Sequence, residues 1–248
     1  MIKLVDINKS FKERQVLRHI NLSVADGETL VIIGGSGSGK STLLRLMVGL
    51  IAPTSGEIWI DAQEISQMKE EALDQVRLKM GMVFQYSALF DSMTVGDNVA
   101  FGLREHTDYS EEKIRRIVAE KLALVGLSGV ENMMPSELSG GMKKRVGLAR
   151  AIAFEPSIIF YDEPDSGLDP VMTGKIDELI RAMQRQLGVT SVVVTHDMES
   201  AFLVGDRIAM VYEGEIIADE PAEEFRRLSD PRVRAFLRGL AADKEAKA

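Results

Sequence analysis

The chain has 248 residues, enough for one or two ordinary domains with a sizeable core. Hydrophobic residues make up 45% and charged residues 27%, a globular composition that excludes a disordered chain. The net charge of −8 argues against a nucleic-acid partner, and the lack of cysteine excludes disulfide scaffolds and thiolate metal sites.

The first residues, MIKLVDINKSF, lack an apolar stretch of signal-peptide length, and no run approaches the roughly 20 apolar residues that cross a bilayer. Any membrane role is expected from the cytoplasmic face and through a partner. VDINKSF and HINLSV alternate apolar with polar residues, as antiparallel strands do. ETLVII (28–33) is a strand without alternation, followed by Gly34-Gly35-Ser36-Gly37-Ser38-Gly39-Lys40-Ser41 and the apolar-periodic helix KSTLLRLMVGL. This fits G-x-x-x-x-G-K-[ST] in its proper strand-to-helix setting, rather than a flexible Gly/Ser loop. Backbone amides there converge on phosphate, Lys40 supplies charge to the β- and γ-phosphates, and Ser41 offers a hydroxyl to Mg2+. The expected ATP-binding segment extends to Thr42.

GMVF (81–84), SIIFY (157–161) and TSVVV (190–194) are further short apolar runs, suited to a parallel sheet covered on both faces by helices. Residues 87–138 differ. NVAFGLREH (98–106) and SEEKIRRIVAEKLALVGL (110–127) keep helical spacing, and Ser110 is a fitting N-cap. The segment reads as a helical subdomain inserted into the core. Leu138-Ser139-Gly140-Gly141-Met142 then opens a helix over 139–153, with Lys143, Lys144 and Arg145 behind it. This is a second helix N-terminus fit to grip phosphate, although a capped helix with a solvated basic turn reads as well from these residues alone. IIFYDE brings Asp162 and Glu163 to a strand end, where Asp162 can hold Mg2+ and Glu163 can accept a hydrogen bond from attacking water. A helix spans 171–187, and RIAMVYEGEIIADE is a hairpin turning at Glu213-Gly214. From Asp230, an N-cap with Pro231 behind it, Val233, Phe236, Leu237 and Leu240 form one apolar stripe. That stripe is expected to meet a protein surface at a dimer, and AADKEAKA to fray.

LSGGM about twenty residues before IIFYDE, with the phosphate loop upstream, resembles the ATP-binding cassette (ABC) family from Phe11 to at least His196. The resemblance implies a P-loop NTPase of the ABC ATPase type: an α/β domain over 1–240 with a mostly parallel core sheet, an N-terminal antiparallel part and an inserted helical subdomain. Its core would be 1–86 and 139–229, its helical part 87–138, and 230–248 a C-terminal helix and tail. It also implies roles: Phe11 stacks on adenine, Gln85 reaches toward Mg2+ and water, Asp169 belongs to the D-loop, and His196 contacts the γ-phosphate. Ser139, Gly140, Gly141 and Met142 would close over ATP held by a second copy in a head-to-tail dimer.

Met142 and Asp165 stand where much of the family has Gln and Thr or Ser. With ALFDSMTVGDNVAF, LREHT and DPRVRAFL, they resemble the Mla/MCE-type lipid-transport cassettes. Such cassettes imply an integral permease, an MCE-domain protein, a STAS-domain partner in many cases, and a peripheral place on the cytoplasmic face of the inner membrane. A cassette for another solute and a soluble ABC ATPase remain alternatives. Tyr86, Leu89, Phe90 and Val95 are expected either to pack the helical subdomain or to form a groove that receives a short helix of the permease.

Overall fold

The computed structural model describes the backbone of residues 1–245 and side chains through residue 238. The N-terminal strands β1 (Ile2–Phe11) and β2 (Arg14–Val24) pair antiparallel, as their alternation predicts. Ile2, Leu4 and Ile7 of β1 face inward, and a register shift between Leu4 and Ile7 keeps that face continuous across the irregularity. After β3 (Thr29–Ile33) and α1 (Lys40–Met47), β4 (Ser55–Ile60) and the short β5 (Gln63–Glu64) complete this sheet in the order β2-β1-β4-β5.

The remaining elements are α2 (Glu70–Arg77), β6 (Met80–Val83), α3 (Val95–His106), α4 (Glu111–Leu124), α5 (Gly140–Ala151), β7 (Ile158–Asp162), α6 (Pro170–Leu187), β8 (Thr190–Val194), α7 (Met198–Val204), β9 (Arg207–Tyr212), β10 (Glu215–Pro221), α8 (Ala222–Phe225) and α9 (Pro231–Glu245). The second sheet runs β10-β9-β3-β8-β7-β6 and is parallel from β9 to β6, with β10 antiparallel at its edge. The unbroken apolar runs have a clear cause. Val31, Ile33, Ile159, Tyr161 and Val193 enter one apolar cluster, while Leu30, Ile32, Ile158, Phe160, Val192 and Val194 enter another on the opposite face. A strand feeding two cores has no polar face to display.

The helical segment packs into the first of these clusters through Val99, Leu103, Ile114, Val118 and Leu122. Ser110 caps α4 by accepting from the Lys113 amide at 3.3 Å. The ends of the segment close on each other where the amides of Val95 and Gly96 donate to Met133 and Glu131 carbonyls, both at 2.8 Å. Val95 is therefore core, and Leu89 packs partly against it, while Tyr86 is 84% exposed. The four residues expected to line one groove do not share a surface.

The expectation for α9 also changes. Asp230 caps it, its Oδ1 accepting from the Arg232 amide at 2.8 Å. Val233 is fully buried in the chain's own first cluster, and Phe236 and Leu237 pack partly against it. Val233 is thus covered by its own cassette and Phe236 and Leu237 partly so; the Leu240 side chain lies outside the described residues. The helix continues through Glu245, into the stretch expected to fray, whose last three residues are not described.

Candidate nucleotide-hydrolysis site

Four adjacent strands, β3, β8, β7 and β6, run parallel and present their carboxyl ends in a row. The residues following them are the glycine-rich loop, Thr195-His196, Glu163 and Gln85. Residues separated by up to 162 positions in sequence are brought to one sheet edge, where α/β folds place their ligands.

In the glycine-rich loop, Gly39 adopts φ 114° at the N-cap of α1, and a Cβ there would lie 2.6 Å from Leu17 Cδ2. The β2 strand thus passes directly over the loop, and its hairpin carries Phe11 at the tip, 47% exposed and 4.9 Å from Lys9 Nζ. Gly35 has open space around its missing Cβ, so the chain's own packing does not demand glycine there. Gly35, Ser36 and Gly37 are exposed, while Ser38 and Lys40 are buried. Lys40 Nζ donates to the Gly34 and Gly35 carbonyls at 2.8 and 3.0 Å. Burial lowers its pKa, opposed by the charges of Glu163 and Asp162. Burial and then Glu163 raise the pKa of Asp162, with Arg45 and Lys40 opposing. Ser41 is exposed and Thr42 half-buried at the start of α1.

Glu163 is 23% exposed in its side chain and has φ 47°, a left-handed backbone rare outside glycine. Its amide donates to the Val194 carbonyl at 2.8 Å. Gln85 Nε2 donates to Glu163 Oε2 at 2.8 Å and to Ser166 Oγ at 3.2 Å. His196 Nδ1 lies 3.7 Å from Glu163 Oε1. Gln85 and His196, expected to act on water and the γ-phosphate, thus converge on the Glu163 carboxylate. Ser166 is an addition, as is Thr195, whose Oγ1 donates to Asp165 Oδ2 at 2.8 Å. The unusual Asp165 therefore braces the residue before His196.

An oxygen-donor set of Ser41, Asp162 and the Gln85 amide oxygen fits Mg2+, which takes one or two carboxylates and completes its shell with phosphate and water.

Ser139 caps α5, its Oγ accepting from the Met142 amide at 3.3 Å. Ser139 and Gly140 are exposed, whereas Gly141 packs near Met172 and Met142 is half-buried. The signature does not join the sheet-edge cluster by any hydrogen bond of its own. Of the basic turn behind it, Lys143 and Arg145 are half-buried and Lys144 is buried. Lys144 is 6% exposed, and its Nζ donates to the carbonyls of Gln85 and of Glu163, the latter at 3.4 Å. Arg145 donates to the Gly126 carbonyl at 3.1 Å, beyond the end of α4. Both cations donate to backbone carbonyls of their own chain. Asp169, expected in the D-loop, caps α6 through Val171 and Met172 amides, both at 3.0 Å.

The family model described as ABC transporter matches residues 17–166. The intermembrane phospholipid transport system ATP-binding protein MlaF of Escherichia coli K12 is 44% identical over 241 residues, covering 97% of this chain and 90% of the relative. MlaF of Haemophilus influenzae is 44% identical over 234 residues, covering 94% and 89%. A probable ribonucleotide transport ATP-binding protein, mkl of Mycobacterium tuberculosis H37Rv, is 43% identical over 238 residues and 96% of this chain, which spans 66% of that longer relative. Among solved structures, the dimeric cassette MJ0796 bound to ADP and Pi superposes with a TM-score of 0.83 at 36% identity, covering 90% of this chain and 99% of its own. With a glycine-rich phosphate loop, a strand-end carboxylate pair and a capped LSGGM helix on this sheet, the chain belongs to the ABC transporter family.

Proposed function

We propose that the chain is the ATP-hydrolysing motor subunit of an ABC transporter that moves phospholipid, or another hydrophobic substrate, between membranes. The observation that carries the hydrolytic part is the convergence of Gln85, His196 and Ser166 about Glu163 at the same sheet edge as Lys40. Glu163 accepts a proton-bearing hydrogen bond from the attacking water and so polarises it toward the γ-phosphate. Gln85 holds that carboxylate in register, and Lys40 and the loop amides hold the β- and γ-phosphates. His196 steadies the γ-phosphate from the β8 side. Ser41, Asp162 and the Gln85 amide oxygen would hold Mg2+, which would neutralise developing phosphate charge. Phe11 stacks on the adenine.

The signature of one copy closes over the ATP of another. Gly140 supports this: it is exposed, with open space about its missing Cβ, so nothing in its own chain requires glycine at that point. Two copies arranged head to tail then share two composite sites. The cassette sits on the cytoplasmic face of the inner membrane with an integral permease, and an MCE-domain protein and a STAS-domain protein complete the assembly. A cleft of about 220 Å³ bounded by Met80, Met82, Gly102, His106 and Phe154 is the place for a permease segment.

The lipid assignment draws on the MlaF relatives. A second reading, a cassette for another solute, draws on the mkl relative. Affinity purification from detergent-solubilised membranes, followed by ATPase assays of the recovered complex with phospholipid or ribonucleotide, separates the two. Stimulation by phospholipid alone supports the first; stimulation by ribonucleotide alone overturns it.

A further inference from the structure

A buried lysine ammonium is costly to desolvate, and most such groups neutralise the cost with a carboxylate. Lys144 instead aims its Nζ at two backbone carbonyls, those of Gln85 and Glu163. These belong to the two residues whose side chains meet at 2.8 Å in the site. The backbone at both places is unusual. Glu163 has φ 47°, and the loop after Gln85 continues through Ser87 at φ 61° and Ala88 at φ 46°. Non-glycine residues in this region are strained and persist only where neighbours over-determine them. The neighbours here come from α5. Lys144 takes the Glu163 and Gln85 carbonyls, and Arg150 on the same helix donates to Ser87 and Ala88 carbonyls, both at 2.7 Å. The Glu163 backbone is held at its amide by the Val194 carbonyl at 2.8 Å and meets Lys144 Nζ at its own carbonyl at 3.4 Å.

We propose that Lys144 is a positioning residue for ATP hydrolysis: through two backbone carbonyls, it holds Glu163 and Gln85 in the geometry that presents the carboxylate to water. It touches neither nucleotide nor water. Its removal relaxes the two peptides and lets the carboxylate drift, and a displacement near 1 Å is enough to cost about 10²-fold in rate. The inference rests on the reading of Glu163 as the water-activating carboxylate, so both are tested together.

The full-length protein is assayed with MgATP as parent, Lys144→Met, Lys144→Arg and Glu163→Gln, with ATP binding and thermal melting measured alongside. Met matches the length of the lysine stem but donates nothing; Arg keeps a cationic donor. Lys144→Met should lower kcat about 10- to 100-fold, leave KM for ATP within about threefold, and leave ATP binding intact. Lys144→Arg should recover most of that loss. Parental kcat in Lys144→Met, or a parallel loss of binding, KM and melting temperature that Arg does not relieve, overturns the proposal. If Lys144→Met does not fold, Lys144→Leu, which likewise donates nothing, is read in the same way; failure of both to fold marks the lysine as structural and overturns it. Glu163→Gln separates the two ideas. If that variant hydrolyses ATP near the parental rate, the carboxylate reading fails and takes this proposal with it. If Glu163→Gln is inactive while Lys144→Met is fully active, only the role of Lys144 falls.

Discussion

Asp177 provides a pH dependence of stability that can be worked from its surroundings. It lies on the buried face of α6, 3% exposed, with Ser200 Oγ donating to its Oδ2 at 2.8 Å. Its Oδ1 has no hydrogen-bond partner among the described residues, and neither has Oδ1 of the buried Asp165. Burial pushes its pKa up to about 7; Asp165 and Asp197 add to the rise and the Ser200 bond opposes it. In the unfolded chain the same carboxyl titrates at about 3.9. From about pH 4 to 7 the folded chain therefore keeps a proton that the unfolded chain has lost, so stability is greatest below this window and falls as pH rises through it. A gap of roughly three pH units at about 1.36 kcal/mol each sets a ceiling of about 4 kcal/mol. Asp177→Asn preserves an acceptor for Ser200 and carries no charge. At pH 5, about one unit above the unfolded pKa, it should be more stable than the parent by about 1.5 kcal/mol; at pH 8 it should be more stable by about 3–4 kcal/mol, or at least about 6 °C in melting temperature. Circular-dichroism melts at the two pH values measure this. An equal stability difference at pH 5 and pH 8 would show that Asp177 ionises normally in the fold and refute the argument.

Glu163→Gln should lower turnover about 10²–10⁴-fold while ATP binding persists and the closed dimer accumulates, as read by steady-state hydrolysis and gel filtration with ATP. Lys40→Ala should instead weaken ATP binding itself, measured by equilibrium titration. Mixing Ser139→Arg chains with Lys40→Ala chains should give heterodimers with one intact composite site, because Lys40 of the first chain faces Ser139 of the second; heterodimers that fold but bind ATP at neither site would defeat the trans arrangement. Val233→Ala, in the cassette's own core, should cost about 1–3 kcal/mol in urea unfolding without changing sedimentation of the ATP-bound dimer.

The strands and most helices were legible because their signals are local. The all-buried runs of β3 and β8 cannot alternate, Ser110 and Ser139 announce helix starts, and Glu213-Gly214 takes positive φ at both residues to turn the final hairpin. The order of the sheet was not legible, because the neighbours of β3 are β8 and β9, more than 150 residues away. Nor did the 3.6-residue period of α9 say what covers its stripe; that depended on where α8 and its Phe225 leave the first core cluster. Phosphate-loop and strand-end residues were readable because their chemistry is bound to a short motif. Lys144 was not, since a cation in the second turn of a capped helix is as a rule solvated, and only the packing of α5 against the Gln85 loop turns it inward. That packing explains why one helix carries both features. Gly140 stands exposed at its start, and Lys144 is buried four residues later, about 6 Å along the axis. Within a little over one turn α5 passes from the exposed Ser139-Gly140 surface to the Glu163 carbonyl. A rigid helix cannot shift its first turn without shifting its second, so on the proposed trans arrangement a contact at the signature would bear on Glu163 of the same chain.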